Sequence, residues 1–301
     1  MLPFSGVICP LLTPFEADGS IAKDLWIAHA KWVLGQAATH LSPFGTTGEA
    51  LSLSVSERIA AVDILIEAGI PADKLMPGTG LTALPDTLAL TAHAVKSGCA
   101  AAMVLPSFFY GAVGETGQAR YFSELIEKVA DDRLRLILYH IPQNSGVPVP
   151  PSLVATLSQR FPKTVCAYKD SAGNWDNTAA VIAAAPGISV FPGSESFLTQ
   201  GLSAGGAGCI SATVNLNAAN IRAVFDGASA GQNVTEADEE MKRVRLAVQK
   251  AGLIGGMKAL LAFRSGDKRW LNLRAPHLNA TMEQGAALAE ALGPHAIAHI
   301  G

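Results

Sequence analysis

The chain has 301 residues, 49% hydrophobic and 16% charged, with a formal net charge of −3. That length can bury a large core, and the near-neutral balance excludes the basic footprint of a nucleic-acid-binding protein. No apolar run reaches the roughly 18 residues of a membrane span. The opening MLPFSGVICPLLTPFE has no basic segment ahead of its apolar part, so it does not read as a signal peptide. Cys9, Cys99, Cys166 and Cys209 are scattered and form no CxxC pair. They are expected as buried free thiols in a reducing compartment, which makes the default a soluble, cytoplasmic protein.

In chain order, the first β-rich run is GVICPLL (6–12), followed by HLSPFG (40–45). Ser54 and Glu57 then form a capping-box pattern ahead of SERIAAVDILIEAG, where Ile59, Val62 and Ile66 share one helical face and Gly69 marks the stop. KLMPGTG (74–80) is the third strand candidate. LPDTLALTAHAVKSG follows, with Leu84, Leu88 and Val95 on one face and Gly98 at its end. Five more strand candidates follow: AAMVLP (101–106), LRLILYHIP (134–142), TVCAYKD (164–170), ISVFPGS (188–194) and AGCISATVN (207–215). Strands alternating with helices predict a parallel sheet, and eight repeats over roughly 215 residues predict a (β/α)8 barrel. An open doubly wound sheet would want a Gly-rich phosphate turn after the first strand, and CPLLTPFEADGS is not one. The expected organisation is therefore an α/β fold with a barrel over residues 1–216. The Ala-rich, helical segment 217–301 is expected to pack on it within the same domain.

In such a barrel the chemistry sits at the C-terminal ends of the strands. There the second strand offers Thr46, Thr47 and Glu49, the fifth Tyr139, His140 and Asn144, and the sixth Lys169. The seventh offers Gly193, Ser194 and Glu195, and the eighth Ser211 and Thr213. No His, Asp and Cys grouping suggests a metal site, and no metal or cofactor is expected. A lysine stripped of water in a pocket is a nucleophile toward carbonyls and forms a Schiff base. A nearby phenol can move the protons of that reaction, and a turn rich in hydroxyls and N–H groups suits a carboxylate. Each residue also has a plainer role open to it. Lys169 could be a solvated edge residue, the GTTGE segment a simple turn, and Tyr139 a core tyrosine. His140 should alternate away from Tyr139, toward core or interface packing.

Taken together, GTTGEA, YHIPQNSG, YKDSAGN and GSESFL…GGAGCIS, in this order and at these separations, resemble the dihydrodipicolinate synthase and N-acetylneuraminate lyase superfamily. The opening GVICPLLTPF and the later LSVSER fit as well, so the resemblance spans about residues 3 to 265. It implies a (β/α)8 barrel with C-terminal helices, a homotetramer built as a dimer of dimers, and metal-free Schiff-base chemistry on pyruvate-type 2-oxo acids. By position it implies that Lys169 is the Schiff-base lysine, Tyr139 the proton-relay phenol and Thr46 its hydroxyl partner. Thr47 would help hold the pyruvate carboxylate, and Gly193 and Ile210 would line the pocket through their backbones.

Two departures bear on substrate. Asn144 stands where the dihydrodipicolinate-forming enzyme has an arginine that grips a second carboxylate. Phe109, beside Tyr110, stands where that enzyme has a tyrosine lent by a neighbouring subunit. The expected activity is reversible aldol cleavage of a 2-oxo acid to pyruvate plus an aldehyde. The rivals are a dehydratase of a 2-oxo-3-deoxy sugar acid, dihydrodipicolinate synthase itself, and a non-catalytic sensor of small acids.

Overall fold

The computed structural model describes residues 2–293. The first half of the chain runs β1 (Gly6–Cys9), α1 (Lys23–Gly35), β2 (His40–Leu41), α2 (Val55–Glu67), α3 (Leu84–Lys96), β3 (Ala102–Val104), α4 (Gly114–Val129) and β4 (Leu136–His140). There follow α5 (Pro142–Ser145), α6 (Pro151–Arg160), β5 (Val165–Asp170), α7 (Trp175–Ala184), β6 (Ser189–Pro192), α8 (Leu198–Ser203) and β7 (Gly208–Ile210). The described chain closes with α9 (Val214–Ser229), α10 (Thr235–Lys250), α11 (Leu253–Ser265) and α12 (Met282–Leu292). Among the described residues no single helix is long and apolar enough to cross a membrane. The described residues form two compact units, 2–6 with 54–210, and 7–53 with 211–293.

In the first unit β3, β4, β5 and β6 form a parallel sheet in that order. The register pairs Leu138 with Tyr168, Tyr139 with Lys169 and His140 with Asp170. Every residue of β4 and β5 is buried, as expected for a parallel sheet covered on both faces. Side chains alternate along a strand, so one face carries Leu136, Leu138 and Tyr168, and the other carries Tyr139 and Lys169. The first face packs Val104, Leu136, Leu138 and Val190 against Phe122 and Leu125 of α4, Leu153 and Leu157 of α6, and Val181 of α7. Tyr139 and Lys169 thus face away from those helices.

One sequence expectation is corrected here, and the faces of two helices are redrawn. The third strand candidate is reduced to a single parallel bridge, Gly78 to Met103. Pro77 has no N–H to extend the ladder, and glycines at 78 and 80 supply no side chain to pack. Gly80 is needed because a β-carbon there would press on the backbone nitrogen of Leu105. Helix α2 has the expected capping box from Ser54 and Glu57, but its buried face is Arg58, Ala61, Val62 and Leu65, with Ile59 and Ile66 only half-buried. Arg58 enters because its guanidinium donates to the carbonyl of Gly78, and burial lowers its pKa to about 10. Helix α3 buries Thr87, Leu90, Thr91, Ala94 and Val95, and the expected Leu84 and Leu88 pack half-buried against the same core as Val95. The Thr87 hydroxyl donates to the Leu81 carbonyl at 3.1 Å and Thr91 donates to the Thr79 hydroxyl at 2.9 Å, so the buried threonines leave no polar group unpaired. Gly69 and Gly98 do end α2 and α3, at φ of 87° and 81°.

In the second unit β1 pairs in parallel with β2, Ile8 beside His40 and Cys9 beside Leu41. The core joins Leu12, Leu216, Val244, Val248, Met257, Leu260, Leu261, Trp270 and Leu288. The expected boundary at 216/217 falls inside α9, whose backbone leaves helical geometry at Asn217 (φ −130°, ψ 28°). All four cysteines are free.

Candidate active site

Tyr139 and Lys169 come together at the C-terminal ends of β4 and β5 because the two strands are in register there. Both are 3% exposed. The Lys169 ammonium lies 4.3 Å from the centroid of the Tyr139 ring. The ring's π-face attracts a cation without neutralising it. Among the described residues no carboxylate forms an ion pair with Lys169.

Next in the sheet, at the end of β6, the Gly193 N–H donates to the Asp170 carbonyl at 2.5 Å. A β-carbon at Gly193 would overlap Ser171 Oγ and sit 2.9 Å from the Asp170 carbonyl oxygen. Ile210 is the buried last residue of β7. Asn144 lies exposed on the one-turn helix α5. Phe109 is 86% exposed at φ 73°, with the Tyr110 ring edge-on to it at 5.6 Å.

On the helix-facing side of the same strands lies a buried polar group that the sequence did not reveal. The Asp170 carboxylate accepts from the Ala172 N–H (2.9 Å), the Asn177 amide (2.8 Å) and the Thr178 hydroxyl (2.8 Å). The His140 ring stacks on Tyr168 at 5.9 Å and accepts the Val149 N–H on Nδ1 at 2.9 Å. Burial lowers the His140 pKa, and the Asp170 charge opposes that shift.

Thr46 and Thr47 belong to the second unit. Thr46–Gly48 is a 3-10 turn, with Thr46 exposed and Thr47 buried. The Thr13 hydroxyl donates to the Gly48 carbonyl at 2.9 Å. Glu49 closes the turn in the left-handed region, φ 55° and ψ 36°. Its carboxylate is fully buried and accepts from Lys258 Nζ at 2.5 Å and from the Arg274 N–H at 3.0 Å. Lys258 also donates to the Asn272 carbonyl at 2.9 Å and lies 4.6 Å above the Phe15 ring. Burial pushes its pKa down to about 8, although Glu49 pulls the other way. Lys258 carried a signal in the sequence, a single cation inside the apolar run LIGGMKALLAF, but its partner lies 209 residues away. Among the described residues no three His, Cys, Asp or Glu side chains group as a metal site.

The model of the dihydrodipicolinate synthetase family matches residues 3–294. An uncharacterised DapA-like lyase of Chloroflexus aurantiacus is 34% identical over 284 residues, covering 94% of each chain. The 4-hydroxy-tetrahydrodipicolinate synthase of Rhizobium meliloti is 30% identical, over 97% of this chain and 98% of its own. Among solved structures, the dihydrodipicolinate synthase of Agrobacterium tumefaciens superposes with a TM-score of 0.87 at 27% identity, over 95% of this chain and 97% of its own. The family match spans the same motifs that carry Tyr139 and Lys169, and the structural likeness spans the parallel strands that present them. The chain belongs to the dihydrodipicolinate synthetase family and is one of its (β/α)8 lyases.

Proposed function

We propose that the protein cleaves a 4-hydroxy-2-oxo acid reversibly to pyruvate and an aldehyde through a Schiff base on Lys169. The observation that carries this is the buried Lys169 amine, 4.3 Å over the Tyr139 ring and free of any carboxylate partner among the described residues. The neutral amine attacks the C2 carbonyl, and the carbinolamine loses water to give the protonated imine. The C4 hydroxyl then gives up its proton. The C3–C4 bond breaks, C4 leaves as the aldehyde, and the bonding pair moves into an enamine between C2 and C3. The enamine takes a proton at C3, and water hydrolyses the imine to release pyruvate. Tyr139 is the proposed proton carrier, acting on the carbinolamine and on the departing hydroxyl.

The roles of Thr46 and Thr47 toward the phenol and the carboxylate, and of the Gly193 and Ile210 backbones as pocket lining, rest on the motif resemblance. A tetramer of identical cytoplasmic chains working without metal or cofactor belongs to the same proposal. Dihydrodipicolinate synthase ranks below the lyase because Asn144 carries no charge. An amide cannot replace the forked, charged grip of a guanidinium on a second carboxylate. Borohydride reduction in the presence of pyruvate, followed by peptide mass mapping, tests the central step. The expected adduct is on Lys169. Its absence, or an adduct on another lysine, would refute the mechanism. Aspartate semialdehyde and a panel of 2-oxo acids assayed for pyruvate use or release would then order the substrates.

A further inference from the structure

Asp170 follows Lys169 in the chain, and the reaction above does not use it. It is the last residue of β5 and only 3% exposed. Its carboxylate is held by neutral donors. The Ala172 N–H reaches Oδ1 at 2.9 Å, and the Asn177 amide and Thr178 hydroxyl each reach Oδ2 at 2.8 Å. Among the described residues no lysine or arginine forms an ion pair with it. A buried carboxylate without a cation is costly. Here three hydrogen bonds offset that cost, together with the positive end of α7, whose first turn carries Asn177 and Thr178.

The same donors fix where the carboxylate points. Lys169 and Asp170 are consecutive on a strand, so their side chains leave opposite faces. The amine joins Tyr139, and the carboxylate joins His140 and Tyr168. Asp170 therefore cannot close on Lys169 as Glu49 closes on Lys258, although consecutive α-carbons are only about 3.8 Å apart. The charge of Asp170 is felt on its own face. It opposes the burial-driven fall of the His140 pKa and adds to burial in raising that of the Tyr168 hydroxyl. On the other face, imine formation turns a neutral amine into a buried cation whose neighbour is an aromatic ring.

We propose that Asp170 acts through Lys169 as a positioning residue: pinned behind the strand, its uncompensated charge favours the cationic imine without forming an ion pair to the free amine. The proposal rests on the Schiff-base reading of Lys169. Two unit charges on the order of 10 Å apart, at an effective dielectric of about 20, shift an equilibrium by about tenfold.

Pyruvate and lactate separate this charge effect from a structural one, because lactate carries the carboxylate but no carbonyl. Dissociation constants for both are compared between about pH 7 and about pH 10, where lysine amines lose their charge. In Asp170→Asn the preference for pyruvate over lactate should fall by about tenfold, and the fall should widen as pH rises, because imine formation creates a new charge only from the neutral amine. The groups around the carboxylate do not titrate in that range: burial keeps the His140 imidazole neutral and the Tyr168 phenol protonated, α7 offers the neutral Asn177 and Thr178, and β6 offers Pro192. Asn177→Lys brings a cation to the carboxylate and should give the same loss. Thr178→Val removes one donor and keeps the charge, so it should lower the urea midpoint while the preference stays within about twofold. If Asp170→Asn does not fold, Asn177→Lys decides the matter. An unchanged preference in either charge variant that folds overturns the proposal. So does a loss that is the same at every pH, or a Thr178→Val variant as impaired as Asp170→Asn. A native chain that traps no pyruvate with borohydride would overturn the Schiff-base reading and this proposal together.

Discussion

Lys169 and Lys258 are both buried, and their surroundings are opposite. Lys258, in the second unit, has a carboxylate at 2.5 Å and a carbonyl at 2.9 Å. Lys169, in the first, has an aromatic face at 4.3 Å and no carboxylate among the described residues. Lys258 directs its donors to Glu49 and the Asn272 carbonyl, so its amine is unavailable to a substrate. Lys169 has no such partner, which leaves its amine for the substrate in the proposed reaction. Burial alone therefore does not make a lysine reactive; what it is paired with decides.

The comparison breaks most sharply at Lys169. Lys169→Ala should abolish turnover, a loss beyond about ten-thousandfold, because no other group can form the imine. Its urea midpoint should stay near native, since no ion pair is broken. Steady-state kinetics and a denaturation curve on one preparation check both. Measurable turnover would move the chemistry to another residue.

Tyr139→Phe leaves the ring under the ammonium and removes only the hydroxyl. Turnover should fall about a hundredfold to ten-thousandfold, the usual worth of a proton-transfer group, with a smaller effect on pyruvate binding. A change below about threefold would leave the ring with a merely electrostatic role.

The opposite pattern is expected at Lys258. Lys258→Met strands the Glu49 carboxylate and should lower stability by about 3–5 kcal/mol, while the folded protein still traps pyruvate on Lys169. Pairing it with Glu49→Gln removes the stranded charge and should recover most of the loss, read from urea midpoints. No recovery in the double variant would mean that the two side chains act independently.

A smaller effect distinguishes the second unit by pH. His29 hydrogen-bonds Asn215 Oδ1 at 3.0 Å, and burial lowers its pKa from 6.5 to about 4. The unfolded chain therefore takes up this proton first as pH falls. The contribution of His29 to stability is complete above pH 6.5 and drains away between 6.5 and about 4. Each pH unit in that window is worth about 1.4 kcal/mol. His29→Gln, whose amide can keep the Asn215 contact, should flatten that slope relative to native in unfolding curves taken at several pH values.

Much of this was legible in the sequence where a pattern is local. Seven of the eight strand candidates are strands, and the Ser54 capping box and the stops at Gly69 and Gly98 stand as read. The pairing of Tyr139 with Lys169 followed from both ending a strand at the same edge. What was hidden depends on partners far along the chain or on backbone atoms. Arg58, Thr87 and Thr91 look like surface residues until Gly78, Leu81 and Thr79 supply their hydrogen bonds. Lys258 and Glu49 are remote in sequence. The hydrogen bonds that tie Val149 to His140 and Tyr168 use an N–H and a carbonyl that nearly every residue has, so no residue type announces them.

Gly193 draws a boundary for anyone who would redesign this enzyme. It is absent from the positions at positive φ, so space and not backbone conformation requires glycine there. Even a methyl group would meet Ser171 and the Asp170 carbonyl, and would have to part the ends of β5 and β6 just beside Lys169. Adding bulk at this position is therefore closed to a designer, whatever the substrate. Gln143, although exposed, donates to the Ser171 carbonyl at 2.6 Å, so its exchange would also touch the end of β5, whereas Asn144 stands exposed on the one-turn helix α5.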